Sequence, residues 1–394
     1  MPIASRAVTS NSPAAVIFRG KNRFPHLIGS LLLLALPAIP AHALLNLDGS
    51  RTQLFVFGGV TFAYSSNIFS DSSARGDSSV TGEVGLEYRR RAGILGVNST
   101  LKFDYQRYAT YTGESAFNPN FFIELTKTTG RTTGALTFSA YRESRSDSAV
   151  NLRTDAWIVP IGLGLKYPLN DKFYLTSQTG YLRRTYRENP TLVNYTDYSE
   201  ALDVNYVYTS KLDLSGGYRI RASKTTAGLD TFDHWFNLGA SGRLLAKLNG
   251  SVRVGYQIRQ IDYGENFNQF NAVATLTWPA TRKLTFSSQV SRDFNTIATG
   301  SSVDSSSVTL RANYAFTRKA ELDAGIAYGR NKFLGGPGSV RRLDDFFTWD
   351  VNYRYRFNDH LRLALGYTYL QNWSTLSFAD FTRQGLSLNL ASRF

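Results

Sequence analysis

The chain of 394 residues has no cysteine, a single methionine, four histidines and one long apolar run. Each scarcity excludes something. Without cysteine there are no disulfide staples, no thiolate nucleophile and no Cys-ligated zinc. A thiol-free chain also cannot mispair while crossing an oxidising compartment. One Met set against 23 Tyr and 26 Phe argues against a large helical core. Tyr and Phe suit pleated surfaces and membrane interfaces. The mean hydropathy of −0.24 is that of a soluble protein. A membrane β-barrel has the same low average, because each strand needs only about 9–11 membrane residues and half of them face the lumen.

The apolar run is Leu27–Ala43, behind Arg19, Lys21 and Arg23 and ending Ala41-His42-Ala43. A basic segment, an apolar core and an A-x-A end read together as a cleavable signal peptide over 1–43. A short periplasmic segment, 44–51, then leads into a single domain over 52–394. The run leaves only His234 and His360 in the mature chain. Most enzymes that use a general base need a positioned His beside an acid or a nucleophile. His360 falls in the turn Asn358-Asp359-His360 and reads as solvated. His234 adjoins Asp233, and alternation puts neighbours on opposite faces of a strand. No enzyme activity, cofactor or metal site is expected. Asp71 and the pair Asp344-Asp345 read as solvated loop acids.

What the chain does have is alternation. Stepping back by twos from Phe394 gives Ser392, Leu390, Leu388 and Leu386, while Arg393, Ala391, Asn389, Ser387 and Arg383 are polar or small. Segments of this kind recur near 52–64, 79–90, 94–108, 118–129, 132–144, 152–167, 173–187, 195–209 and 211–224. They continue near 231–245, 248–263, 267–279, 284–295, 304–317, 320–333, 344–357, 361–373 and 381–394. That is about 18 strands, an even number, with short joints such as Ser210-Lys211 alternating with longer ones such as Ser65–Ser78. The pattern predicts an all-β protein, a single transmembrane antiparallel up-and-down β-barrel with short periplasmic turns. Leu386, Leu388, Leu390 and Phe394 resemble the sorting signal of bacterial outer-membrane barrels. The expected location is the outer membrane of a Gram-negative bacterium.

Phasing each strand by its apolar face turns the polar residues inward. Arg219, Arg221, Arg253, Arg259, Arg311, Arg354, Arg356, Arg362 and Arg383 then line the lumen, together with acids such as Asp203, Asp213 and Asp350. Two roles are open to these arginines. They could brace the wall through ladders with Asp and Glu. They could also line a path for anions, since arginines in a low-dielectric passage focus a field and bind carboxylates bidentately. No joint is long enough for a large inward loop. Either the bore is wide or several short loops close it jointly. The Gly-rich joint Leu334–Gly338 is either a flexible gate or an ordinary surface loop.

After the first strand comes Tyr64-Ser65-Ser66-Asn67-Ile68-Phe69-Ser70-Asp71. A strand ending Tyr-x-x-Asn-Ile/Val-Phe before a polar loop resembles the start of the putative beta-barrel porin 2 family, over about Gln53–Phe394. The architecture is also similar to the alginate export barrel. Members of the porin family are often associated with exopolysaccharide systems, so the resemblance implies an outer-membrane conduit for export of a polysaccharide, an acidic one given the arginines. The alternative is a general or anion-preferring diffusion porin. Expected partners are outer-membrane lipid, the barrel-assembly machinery, the polysaccharide and separate periplasmic export partners. No nucleic acid is expected.

Overall fold

The computed structural model describes residues 45–47 (backbone only), 51–91, 93–187, 189, 191–262, 264–334 and 341–394. The signal-peptide segment and the Gly335–Gly338 part of the gate joint lie outside them. A short strand β1 (Leu45–Leu47) pairs with β2 (Thr52–Ser65). The wall continues with β3 (Asp77–Arg90), β4 (Gly96–Tyr108), β5 (Ala116–Lys127), β6 (Thr133–Asp147), β7 (Leu152–Pro168) and β8 (Phe173–Tyr186). Next come β9 (Tyr195–Thr209), β10 (Leu212–Thr225), β11 (Thr231–Arg243), β12 (Asn249–Ile261), β13 (Phe267–Pro279) and β14 (Leu284–Thr296). It ends with β15 (Ser302–Ala315), β16 (Ala320–Leu334), β17 (Leu343–Arg356), β18 (Leu361–Ser374) and β19 (Phe381–Arg393).

Every neighbour is antiparallel, and β19 closes on β2 through Gly385↔Ser65 to Arg393↔Phe57. The result is a closed barrel of eighteen strands, β2 to β19. Closure removes the free edges that would leave backbone groups unsatisfied in lipid. The last residue takes part, since Val56 and Phe394 exchange backbone hydrogen bonds of 2.9 and 2.8 Å. His360 is therefore not simply solvated. Its ring stacks on Phe394 at 5.1 Å and its Nδ1 lies 2.8 Å from the Arg393 carbonyl.

The alternation puts apolar side chains outside, as in Val84, Phe236, Leu238, Phe270 and Leu386, all exposed on the outer surface. Leu388 and Leu390 stand on the same face. Tyr355 and Phe357 meet at 5.0 Å and Trp349 and Tyr367 at 4.9 Å, as aromatic girdles require. Pro160, mid-strand in β7, has no N–H to donate. The β6–β7 ladder skips there, from Phe138↔Ile161 to Tyr141↔Ile158.

Gly217 is where small size matters most. A Cβ there would lie 1.7 Å from Asp203 Oδ1 and 2.9 Å from the Leu202 carbonyl. Asp203 crosses the glycine to reach Arg253 Nη1 at 2.9 Å. A Gly217→Val change is expected to destabilise the barrel by about 1–3 kcal/mol, the usual cost of overpacking. The check is the denaturant midpoint in detergent, and an unshifted midpoint would show that Asp203 moves aside freely.

Candidate constriction and charged lumen

Two seams of the wall have short ladders, β5–β6, paired only from Asn120↔Tyr141 to Lys127↔Gly134, and β13–β14, the one that forms the constriction. β12 and β13 stay paired up to Arg259↔Phe267, and β14 and β15 up to Thr296↔Ser302. Between β13 and β14 the ladder runs only from Pro279↔Thr285 to Ala272↔Arg292. Beyond it, the outer end of the β14–β15 hairpin leaves the wall and folds across the inner face of β10 to β12. Arg219 Nη2 donates to Asp293 Oδ2 at 3.0 Å, and Arg221 donates to the Phe294 carbonyl. Arg259 Nη1 donates to the Asn295 carbonyl and to Ser302 Oγ, each at 3.2 Å. The hydroxyls of Ser223 and Thr296 are 3.2 Å apart.

The hairpin tip reaches further, to the wall of β7 to β9. Val193 N donates to the Ala298 carbonyl at 2.7 Å, and Ala298 packs with Ala156, Ile158, Tyr186 and Tyr195. A segment that starts between β13 and β16 thus spans the outer part of the lumen. Short loops do meet over the mouth, as one of the two alternatives read from the sequence has it, but the hairpin adds a strand segment that neither alternative included. Folding inward also reverses a face. Phe294 and Asp304 are in the outward phase of their strands, yet Phe294 is 1% exposed and has the Arg259 guanidinium 5.1 Å from its ring centroid. Asp304 pairs with Arg292 at 2.9 Å.

Beneath the hairpin lies a buried charge knot. Asp233 accepts from Arg221 Nη2 at 2.6 Å and from Arg259 Nε at 2.7 Å. Asp233 is 1% and Arg259 0% exposed. Buried ions of this kind persist only with close pairing, because desolvation costs several kcal/mol per ion. Gln257 and Asn271, both buried, bond to each other at 2.7 Å alongside it.

The Tyr64–Asp71 motif organises a second bridge over the same mouth. Asn67 is fully buried. Its Oδ1 accepts from Ser70 N at 2.9 Å and its Nδ2 donates to the Asp71 carbonyl at 2.6 Å. These bonds hold Ser70 at φ 58°. Ser70 then meets Ser146, takes Asn151 Nδ2 on its carbonyl at 2.7 Å and takes Arg383 Nη1 on its hydroxyl at 2.9 Å. From the other side of the mouth, Arg342 donates to the carbonyls of Ala149 and Ser148 at 2.8 and 3.1 Å. Asp71 is held by Arg75. Partial burial pushes its carboxyl up, but hydrogen bonds from Ser73 and Arg75 and the Arg75 charge outweigh it, so its pKa lies below the ordinary value.

The nine arginines singled out from the sequence divide into two sets. Arg219, Arg221 and Arg259 sit in the knot. Arg253 pairs with Asp203, Arg311 with Asp323 and with Asp350 at 2.7 Å, and Arg383 holds Ser70. Arg354 pairs with Glu321 at 2.7 Å, both half exposed. Arg356 and Arg362 are exposed and directly opposite each other across β17 and β18, with no acidic partner among the described residues. Arg362 also lines a cavity of about 320 Å³ with Glu83, Glu87, Thr100 and Arg393. The sequence reading missed Asp233, Asp293, Phe294 and the hairpin. The available signal was polarity on what should be a lipid face, at Arg292, Asp304 and Ser306.

Residues 234–394 match the model of a family described as Putative beta-barrel porin 2. The match covers the second part of the barrel and not the Tyr64–Asp71 motif, so it is narrower than the span expected. Among solved structures, Pseudomonas aeruginosa OccK2 (OpdF) in complex with glucuronate is 10% identical, with a TM-score of 0.51 over 88% of this chain and 97% of that one. Pseudomonas aeruginosa OpdK with vanillate is 11% identical, with a TM-score of 0.50 over 86% and 99%. The FrpB iron transporter from Neisseria meningitidis is 9% identical, with a TM-score of 0.47 over 81%, and this chain spans 62% of its length. These likenesses are of fold. They do not bear on the alginate export barrel. No curated protein matches.

Proposed function

From the porin-family match over residues 234–394, we propose that this outer-membrane barrel is a gated channel for anionic solutes, loaded from the periplasm and serving export of an acidic polysaccharide. The observation that carries the reading is Arg356 facing Arg362. Like charges directly opposite on neighbouring strands repel. A wall built only for stability would place an acid at one of the two positions, as it does at Arg221↔Asp233 and Arg354↔Glu321. An unpaired arginine pair instead supplies a bidentate site for a carboxylate or sulfate. These residues stand at the turn side of the lumen, the periplasmic side in such barrels. The opposite end is bridged by the hairpin, whose cations are already neutralised.

An Arg356→Gln/Arg362→Gln variant is expected to lower the anion-over-cation permeability ratio severalfold, read from the reversal potential in a salt gradient. Its unfolding midpoint should stay level or rise, because repulsion is removed. A lower midpoint with unchanged selectivity would assign the pair to bracing. In cells, deletion of the gene should remove extracellular polymer and leave it inside.

The hairpin supports a second reading, a small-solute porin. An inward-folded segment narrows a bore whatever passes through it. The glucuronate and vanillate of the two Pseudomonas structures are both carboxylates. Unchanged extracellular polymer in the deletion strain would favour this reading.

A further inference from the structure

The two ends of the barrel carry opposite charge in their connections. The turns beside the termini hold Arg91, Arg131, Lys172, Lys211, Arg282 and Arg318, with Lys247, Lys283 and Lys319 as well, against Asp171 and Asp359. The opposite loops hold Asp71, Glu114, Asp230, Asp262, Glu265 and Asp380 against Arg75, Arg187, Arg341 and Arg342. The named rim cations are exposed, and among the described residues none has an ion pair. Lys283 and Lys319 bond only to the carbonyls of Phe316 and Phe357, at 3.1 Å. Outer-loop and lumen cations, by contrast, mostly have acids, as Arg75 has Asp71 and Arg342 has Asp344.

We propose that this rim is a capture surface for an extended polyanion, an acidic polysaccharide chain approaching from the periplasm. The proposal rests on the export reading above. Unpaired charges around a mouth raise the local concentration of an oppositely charged chain. Anionic headgroups of the inner leaflet are the competing occupant. Continuity favours the polymer. The rim runs on into the lumen through Arg356 and Arg362, which lie on inward positions that lipid does not reach, beside Arg393, which is paired with Glu87 at 2.9 Å. A lipid belt would stop at the outer face.

The absence of cysteine allows a direct test on the whole chain in phosphatidylcholine nanodiscs. Single cysteines replace Ala246 in a rim turn and Ser377 in an outer loop, both exposed. Maleimide labelling is timed with and without polygalacturonate, with neutral dextran as control. The acidic polymer should slow labelling at the rim severalfold and leave the outer site unchanged. Salt at 1 M should abolish the effect, since the Debye length falls to about 3 Å. A Lys172→Gln/Lys211→Gln/Arg282→Gln/Arg318→Gln variant should lose the protection while still folding, because exposed changes cost within about 0.5 kcal/mol. Equal protection at both sites, or protection that survives the variant, overturns the proposal. So does rim protection produced by phosphatidylglycerol alone and not increased by the polymer, which assigns the rim to lipid. Labelling does not depend on transport. An unprotected rim beside polymer accumulation in the deletion strain would sink the rim and leave export standing. A protected rim beside normal export would do the reverse.

Discussion

A Ser223→Cys/Thr296→Cys variant is expected to lock the channel when oxidised and release it when reduced. The two hydroxyls are 3.2 Å apart and join β10 to the folded-in hairpin. No other thiol is present to compete. A disulfide closes two sulfurs to about 2.05 Å, and side-chain ends already in contact bring the two thiols within reach of each other. If the hairpin must swing for a solute to pass, the oxidised barrel should lose at least tenfold in polymer release or in conductance to large anions. Reductant should restore both. Small-ion leak around the hairpin should change little, which separates a tethered gate from a misfolded barrel. Equal passage in both redox states would make the hairpin a fixed constriction, as in a diffusion porin, and would weaken the export reading.

Removing the shared carboxylate beneath the hairpin should have the largest effect on stability. Asp233 holds both Arg221 and Arg259, and Arg259 is fully buried. Asp233→Ala leaves a buried guanidinium without its counter-ion. Breaking such a pair costs about 3–5 kcal/mol, far more than the pair contributes over an apolar substitute. The denaturant midpoint in detergent should fall accordingly. The hairpin should loosen as well, since Arg221 and Arg259 donate to the Phe294 and Asn295 carbonyls. Open-channel conductance should therefore rise while stability drops. Adding Arg259→Met to Asp233→Ala should recover part of the stability, because the orphaned charge goes with it. Should the double variant be no better than the single one, the cost lies in lost packing and not in an unpaired ion.

The eighteen strands were legible because the signal is local. A wall strand has lipid on one side and polar lumen on the other, so residue type must change at every step. The structural bounds fall within a few residues of those read from the alternation, and Gly385–Arg393 closes the barrel as its apolar spacing implied. The inward arginines were legible for the same reason. Their partners were not, because pairing such as Arg219 with Asp293 joins strands that are not neighbours in the wall. The inward turn of Phe294 contradicts its own strand's phase. Phe294 is apolar in an outward position, and only the polar Arg292, Asp304 and Ser306 nearby hinted that this stretch does not face lipid. The role of Asn67 was equally hidden. The motif around it pointed to a family, while the structure makes it the residue that folds one outer loop toward Ser146, Asn151 and Arg383. By itself the sequence determined the barrel, its strand number and the facing of residues where a strand stays in the wall, because there the two-residue period is enforced by solvent on each face. Only tertiary structure decided that a hairpin leaves the wall and which charges neutralise which, because those depend on distances across the lumen that no local period records.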